Sequence, residues 1–387
     1  MTGLSDAVTR NHRSLIPFYR QLTSSTQSQF LSDSASQTTQ MLDLASYETL
    51  NNILKAYGFN STSYLTLESD KRHFFDHQVP AVTAYAQFNK VAITAGEPIC
   101  PIDLLGNAID EFINFTRKSS LQPLFFEVTE QVVPVLQQRG FRFLKLGEEP
   151  FFELDKFTLK GNKMANVRSS GNTARNRGVT VREYSPKEPA ASSINPQLEA
   201  ISRQWLETRG ISELSFTLGT LSLDQPGDRR YFIAEYENQV IAFLTYSPIY
   251  ARQGVYLDLM RRAENTPTGT MDLLLSESFS LLEKAGVKLV TMGMSPLANV
   301  QDSPVEQSNY LSWLLHQFSV HGKSFYHFQQ MHDFKRKFKP HFWESKYLAY
   351  RHLGFRELDA ILQALLHQNI SKLVWWALNQ PIHLGPL

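Results

Sequence analysis

Cysteine is nearly absent from this chain: 387 residues hold one, Cys100. A lone thiol excludes an intrachain disulfide and a cysteine-based metal cluster, and it fits a reducing compartment. Beside Pro101, Cys100 reads as a small buried hydrophobe rather than a nucleophile. Net charge is also close to nil, at +1, so an anionic partner has to be held by local patches and not by the overall field. No apolar run reaches the roughly 18–20 residues that span a bilayer, and no charged n-region with an apolar stretch behind it opens the chain. The expectation is a soluble, cytoplasmic protein that can still touch the inner face of a membrane. Eleven histidines are present, but no pair has metal-ligand spacing, and His332 and His341 read as packing or surface groups. No metal is expected, and no Ser-His-Asp or Cys-His arrangement stands out.

What is present supports folded cores: 42% hydrophobic residues and 12% aromatics, in a length that predicts two domains of about 150–200 residues. Residues 21–40 are rich in Ser, Thr and Gln, and 1–40 read as a flexible N-terminal arm. Leu42, Leu44, Leu50, Ile53 and Leu54 then give a helical stripe that stops before Gly58. Extended pieces follow at 63–67, 73–75, 81–88 and 90–95, then a helix over 103–117, a buried strand at 123–128, a helix at 131–139, and a strand pair at 141–146 and 151–154. Residues 156–182 hold seven Lys or Arg and no acid; this Gly/Asn/Ser-rich stretch reads as a connection between domains. The second half repeats the order: a helix at 196–209, a turn at 216–219, strands at 231–236, 239–246 and 255–260, a helix at 270–284 and a strand at 288–293. Two copies of one plan predict a tandem α/β (α+β) fold, with a first domain over 41–160, a basic connector at 161–182 and a second domain over 183–387.

Two stretches can carry chemistry. The strand ending at Arg261 and Arg262 is expected to put Asp258 and Met260 on one face and Leu257 and Leu259 on the other. The turn through Pro267, Thr268 and Gly269 enters a helix at Thr270, whose free N–H groups can receive a phosphate or carboxylate. Equally, Asp258 and Arg261 can form a local ion pair and Thr268 a helix cap. Acetyltransferases of the GNAT superfamily bind the pyrophosphate of coenzyme A at such a strand–turn–helix, through a short Arg/Gln-x-x-Gly-x-Gly/Ala turn. Here the turn is longer and holds Pro267 and one glycine, so coenzyme A is not expected. The second stretch, 334–351, packs Lys335, Arg336, Lys337, Lys339, Lys346 and Arg351 among six aromatics, with Glu344 as its one acid. That pattern suits either phosphate contacts beside stacked rings or a solvated helix face. In a helix ending at Pro340, Phe328, Met331, Phe334 and Phe338 share an apolar face. Residues 358–378 are amphipathic, with Trp375 and Trp376 near the end, and suit either a membrane surface or packing on their own domain.

KLGEEPFFEL (145–154), FTLKG (157–161), FTLGTL (216–221), DLMRR (258–262), PTGTMDLLL (267–275), MGMSPLANV (292–300), FKRKFKP (334–340) and WESKYLAYR (343–351) occur in the order seen in the catalytic domain of bacterial phosphatidylglycerol lysyltransferases, the aminoacyl-phosphatidylglycerol synthases. The chain resembles that family from about residue 45 to 355. The resemblance implies a pair of GNAT-like domains and transfer of an amino acid, most often lysine or alanine, from aminoacyl-tRNA to a hydroxyl of phosphatidylglycerol. Full-length relatives carry a flippase region ahead of this domain, where this chain has about 40 residues, so flipping would fall to a separate membrane protein. Ser295 replaces the family's usual Ala before Pro-Leu. On this chemistry Asp258 is expected to bind the α-ammonium of the amino acid, Arg261 to hold a phosphate or orient Asp258, and Lys335 and Lys337 to lie near the ester. Glu344 would be an orienting carboxylate or base, or else pair with Lys346 or Arg351. Arg262, Thr268, Gly269, Thr270, Arg336, Lys339 and Lys346 are candidate substrate contacts. Arg168, Arg175 and Arg177 of the connector are candidates for tRNA or anionic lipid. A different acceptor, or a non-catalytic tRNA- or lipid-binding module, are the competing readings.

Overall fold

Short stretches rich in Val, Ile, Phe and Tyr, each able to bury a pleated face, join into one twelve-stranded sheet. The computed structural model describes residues 42–209, 216–300 and 323–366; the arm at 1–40, Trp375 and Trp376 lie outside them. The chain runs α1 (Leu44–Tyr57), β1 (Arg72–Phe75), β2 (Val82–Phe88), β3 (Val91–Ala95), α2 (Leu105–Lys118), β4 (Gln122–Thr129), α3 (Val133–Gln137) and β5 (Arg142–Glu153). It continues through α4 (Ala165–Asn176), β6 (Thr180–Tyr184), α5 (Ala191–Arg209), β7 (Arg230–Tyr236), β8 (Gln239–Ile249), β9 (Gly254–Arg262), α6 (Thr270–Lys284), β10 (Leu289–Thr291) and β11 (Ser295–Pro296). It ends in α7 (Lys323–Lys337), β12 (Phe342–Tyr350) and α8 (Phe355–Leu366). No helix among the described residues is long and apolar enough to cross a membrane.

The two copies of one plan are visible in the ladders. Strands β1, β2 and β3 pair antiparallel, and β3 then runs parallel to β4 with α2 as the crossover. In the same way β7, β8 and β9 pair antiparallel, and β9 runs parallel to β10 with α6 between them. The sheet order is β1-β2-β3-β4-β12-β5-β10-β9-β8-β7-β6. Each half therefore sends its last strand to the other: β5 pairs with β10, and β12 pairs with β4. Sequence order puts 342–350 in the second half; the sheet puts it inside the first. Helices cover both faces. Ile109 and Phe112 of α2 pack on Phe125, Phe143 and Tyr347, while Ala360 and Ala364 of α8 pack on the opposite face with Leu124, Phe126 and Leu348. In the second half, α4 and α6 cover Phe152, Leu244 and Leu257, and α5 covers Ile233, Phe243 and Leu259.

Three local expectations change. Residues 63–67 are not extended but lie in a buried 3₁₀ turn, Ser61–Leu67, whose first free N–H, that of Thr62, is taken by the Asn60 side chain. The strand pair at 141–154 is the single strand β5. The basic connector is mostly α4 followed by β6. Its polar composition hid a stripe of small residues, Val167, Gly171 and Ala174, at helical spacing. A Cβ on Gly171 would stand 3.4 Å from the Cα of Leu273, an ordinary contact distance, so this stripe is the face that α4 packs on α6.

The exchanged strands are joined by Lys346 of β12 and Glu149 of β5, 2.9 Å apart with side chains 1% and 0% exposed. Lys346→Ala leaves Glu149 buried without its cation and should cost about 3–5 kcal/mol. Urea unfolding followed by circular dichroism and by fluorescence should show one coincident transition for both halves, shifted to lower urea in the variant.

Candidate active site

Three β-bulges meet where the halves join, each adding one residue to a strand and re-aiming its side chain. On β9 the partner register steps from Leu257 to Leu259 while β8 advances one residue, so Asp258 is the inserted residue. The N–H of Leu259, displaced from the ladder, donates to Thr245 Oγ1 at 3.0 Å. On β4 the register passes from Phe125 to Val128 against two steps of β12, which places the insertion at Phe126–Glu127. On β5 it steps from Lys145 to Gly147. The bulge on β9 overturns the expected alternation: Leu257 and Met260 pack in one core and Leu259 in another.

Asp258 is buried under the turn at 216–219. Its Oδ1 accepts the Gly219 N–H at 2.6 Å and its Oδ2 accepts the Ser247 hydroxyl at 3.0 Å. A Cβ on Gly219 would stand 2.1 Å from Oδ2, so the close approach requires glycine. Burial pushes the Asp258 carboxyl up to about 6, against the pull of the Gly219 N–H and the Arg229 guanidinium. Arg261 does not accompany it: its guanidinium lies on the α5 side, bonded to the Ser202 hydroxyl and 5.3 Å from the Trp205 ring. A role for Arg261 in orienting Asp258 is thereby replaced by packing against α5.

Asn60 is the hub of the second cluster. Its Oδ1 accepts Lys346 Nζ at 2.6 Å, and its Nδ2 donates to Glu97 Oε2 and to the Glu127 carbonyl, both at 2.9 Å. Glu149 accepts the hydroxyls of Thr291 at 2.9 Å and Ser61 at 3.0 Å in addition to Lys346. Burial works against the Lys346 ammonium, yet Glu149, Glu97 and Glu127 together hold it above the ordinary lysine value. Lys335 reaches the same cluster from the last turn of α7, with Nζ donating to the carbonyls of Gly293 at 2.8 Å and Met294 at 2.9 Å. Burial lowers its pKa to about 7, with Glu149 and Glu127 opposing. Glu127, 6% exposed, is pushed up to about 7 by burial. Tyr256, buried on β9 beside Asp258, feels the charges of both Asp258 and Glu127, so the two clusters adjoin. A cavity of about 300 Å³ opens beside them; Asn60, Glu97 and Gln131 form its polar wall and Tyr57, Phe59 and Ile99 part of its apolar one.

Of the remaining candidates, most lie elsewhere. Lys337 pairs with Asp272 in the first turn of α6 at 2.5 Å and lies over the Phe334 and Phe338 rings. Glu344 takes a bidentate pair from Arg252, at 2.7 and 2.9 Å, rather than from Lys346 or Arg351. Arg252 in turn sits 4.2 Å from the Phe151 ring. Lys346 is buried in the ion pair and is no surface phosphate contact. The helix start is covered: Gly269, at φ +91°, has no room for a Cβ, which would stand 2.0 Å from the Ser170 carbonyl of α4, and Thr270 is buried with its hydroxyl on the Pro267 carbonyl. Arg168 donates to the carbonyls of Leu159 and Gly161, and Arg175 pairs with Glu277. Arg336 pairs with Asp333, while Lys339, Arg177, Arg262 and Thr268 are exposed. Met331 is 38% exposed, so the apolar face of α7 is made by Phe334, joined by Phe338 in the turn just beyond the helix; the Phe328 side chain lies outside the described residues. Glu127, Glu149 and Asn60 are not among the sequence candidates. The available signal was an acid set between buried aromatic and β-branched neighbours in PLFFEV and ahead of FFEL, a placement that costs free energy without a partner.

A family model described as "Phosphatidylglycerol lysyltransferase, C-terminal" matches residues 51–350. The phosphatidylglycerol lysyltransferase of Bacillus subtilis (strain 168) is 29% identical over 310 residues, covering 79% of this chain and 35% of that protein. That of Staphylococcus haemolyticus (strain JCSC1435) is 27% identical over 300 residues, covering 77% and 35%. This chain thus spans about a third of the length of these curated relatives. The solved structure of L-PGS from Bacillus licheniformis superposes with a TM-score of 0.70 at 28% identity, covering 85% of this chain and 98% of that one.

Gly219→Ala forces a methyl onto the Asp258 carboxylate and should lower the melting temperature more than Ser247→Ala, which removes one hydrogen bond at a cost of about 1 kcal/mol. In a double-mutant cycle, Gly219→Ala should be less damaging when Asp258 is already alanine.

Proposed function

The chain belongs to the family of phosphatidylglycerol lysyltransferase C-terminal regions, and from that premise we propose that it is an aminoacyltransferase moving an amino acid from aminoacyl-tRNA to a glycerol hydroxyl of phosphatidylglycerol. The observation that carries the reading is the state of Lys335. Exchanging one ester for another needs little driving force, so the demands on the protein are to align the reacting atoms and to stabilise the oxyanion. Lys335 is pinned by two carbonyls, which leaves one hydrogen of its charged form for a substrate oxygen. With its pKa lowered to about 7 by burial, it can change charge at neutral pH.

Asp258 is buried beneath the turn it binds, accepting from Gly219 and Ser247, which favours a positioning role for it, holding the 216–219 turn beside Tyr256, over direct contact with the α-ammonium. The cavity with an apolar wall and a polar end at Asn60 and Glu97 suits an amphiphilic acceptor. Coenzyme A has no role in this reading, because the backbone at Gly269 is packed on Ser170. Lysine, the amino acid in the relatives' names, is the first to test and alanine the second.

The pure protein, given labelled aminoacyl-tRNAs and vesicles containing phosphatidylglycerol, should move label into the organic phase. Lys335→Ala should lower the rate on the order of 10²–10³-fold at unchanged melting temperature, the loss seen when one oxyanion donor is removed. Label lost from tRNA without entering lipid would point to another acceptor, and tRNA bound without turnover would end the reading.

A further inference from the structure

We infer that Glu127 carries the proton in this transfer, taking it from the acceptor hydroxyl and returning it to the oxygen that leaves. The inference rests on the function proposed above and adds the identity of the acid–base group.

Four observations single out Glu127. It occupies a bulge on β4, the central strand that receives β12 from the other half. Its backbone is in the left-handed region, φ +58°, where a non-glycine residue costs roughly 1–3 kcal/mol and is found mostly at functional sites. Its main chain is fixed, since its carbonyl takes a hydrogen bond from Asn60 and the Phe126 carbonyl takes one from Gly96. Its carboxylate, by contrast, has no hydrogen-bond or ion-pair partner among the described residues, although the residue is 6% exposed. The other acids of the two clusters are engaged: Glu149 by Thr291, Ser61 and Lys346, Glu97 by Asn60 and Thr129, Asp258 by Gly219 and Ser247, Glu68 by Thr220 and Arg229. A strained, rigidly mounted carboxylate with no partner among the described residues is suited to a substrate proton.

The titratable groups facing it are Lys346 of β12, Glu149 of β5, Lys335 of α7 and Tyr256 of β9, with Glu97 across Asn60; β3, paired to β4 on the other side, brings none. Burial raises the Glu127 carboxyl, Lys346 and Lys335 hold it down, Glu149 adds to the rise, and the balance stands at about 7. In the step, the acceptor O–H bond breaks with its proton passing to a Glu127 oxygen, while the acceptor oxygen bonds to the aminoacyl carbonyl carbon. On collapse the bond from that carbon to the ribose oxygen breaks and the proton passes from Glu127 to the ribose oxygen. Glu127 ends ionised as it began, and no other reactant is consumed.

A base acts in its ionised form, so the wild-type rate should rise with pH through about 7 as Glu127 ionises, and fall again at higher pH as Lys335 gives up the proton of its charged form; the rising limb belongs to Glu127. The test is the pH dependence of label transfer from aminoacyl-tRNA to phosphatidylglycerol vesicles by wild type, Glu127→Gln and Glu127→Asp, with melting temperatures measured alongside. Glu127→Gln should fold, lose on the order of 10²–10⁴-fold in kcat, and lose the rising limb while its KM for donor and lipid holds. Should Glu127→Gln not fold, Glu127→Asp carries the test: a slower enzyme with the limb retained is expected, and wild-type rate and limb together would overturn the inference. A folded Glu127→Gln with kcat and limb intact would overturn it, as would a raised donor KM with the limb intact, which would make Glu127 an ammonium-binding group. Absence of transfer by wild type would instead remove the proposed function, and the proton role with it.

Discussion

The contact on which the rest depends is the buried pair of Lys346 and Glu149, because it fastens the strands that the two halves exchange. Strand β12 belongs by sequence to the second half and lies between β4 and β5 of the first, so neither half has a complete sheet by itself. The ion pair stands at that seam with both side chains out of water. Desolvating two charges is costly unless each also has hydrogen-bond partners. Asn60 supplies one to the ammonium, and Ser61 and Thr291 supply two to the carboxylate. The price is a polar knot in the middle of a sheet, and the same knot fixes the backbone of Glu127 through Asn60.

The sequence made the elements legible because their signals are local. The stripe of Leu50, Ile53 and Leu54, the PLFFEV run and the helix after Gly269 all carry a clear period or an end marker, and each was found near its place. The tandem plan followed from their order. What could not be read was register. Period-two reasoning holds until a bulge, and each of the three bulges at the seam reverses the faces beyond it. Asp258 was recognised by its neighbours in the chain; its true contacts, Gly219 and Ser247, are set by that inserted residue. Glu127 gives no sign of its role in the sequence because the run around it reads as an ordinary buried strand.

Charge patterns misled for a different reason. The basic segment at 156–182 looked like a solvated connector, yet Arg168 and Arg175 are spent within the protein and its small residues make a close helix contact. The cationic stretch at 334–351 is likewise two structures in one: the end of α7, then a strand that enters the sheet. Neither a solvated helix nor a phosphate surface describes the whole of it. Lys346 is in the ion pair, Lys337 on Asp272, Arg336 on Asp333, and Lys339 is exposed. Composition counts charges but does not say which will be buried against an acid distant in sequence.

Lys335 and Lys346 show how one cluster assigns two different tasks to the same side chain. Both ammonium groups are buried, and burial alone would neutralise both. Lys346 has a direct carboxylate partner and two more acids in reach, so it keeps its charge and serves the fold. Lys335 is held by two neutral carbonyls and feels Glu149 and Glu127 without bonding either, so it comes to the edge of its charge at neutral pH. A group that must stay ionised to hold two strands together is a poor proton carrier, and one that is free to change charge is a poor structural tie. Separating the roles lets the seam stay rigid while Lys335 and Glu127 remain able to titrate, and that separation depends on which lysine the exchanged strand brings to Glu149.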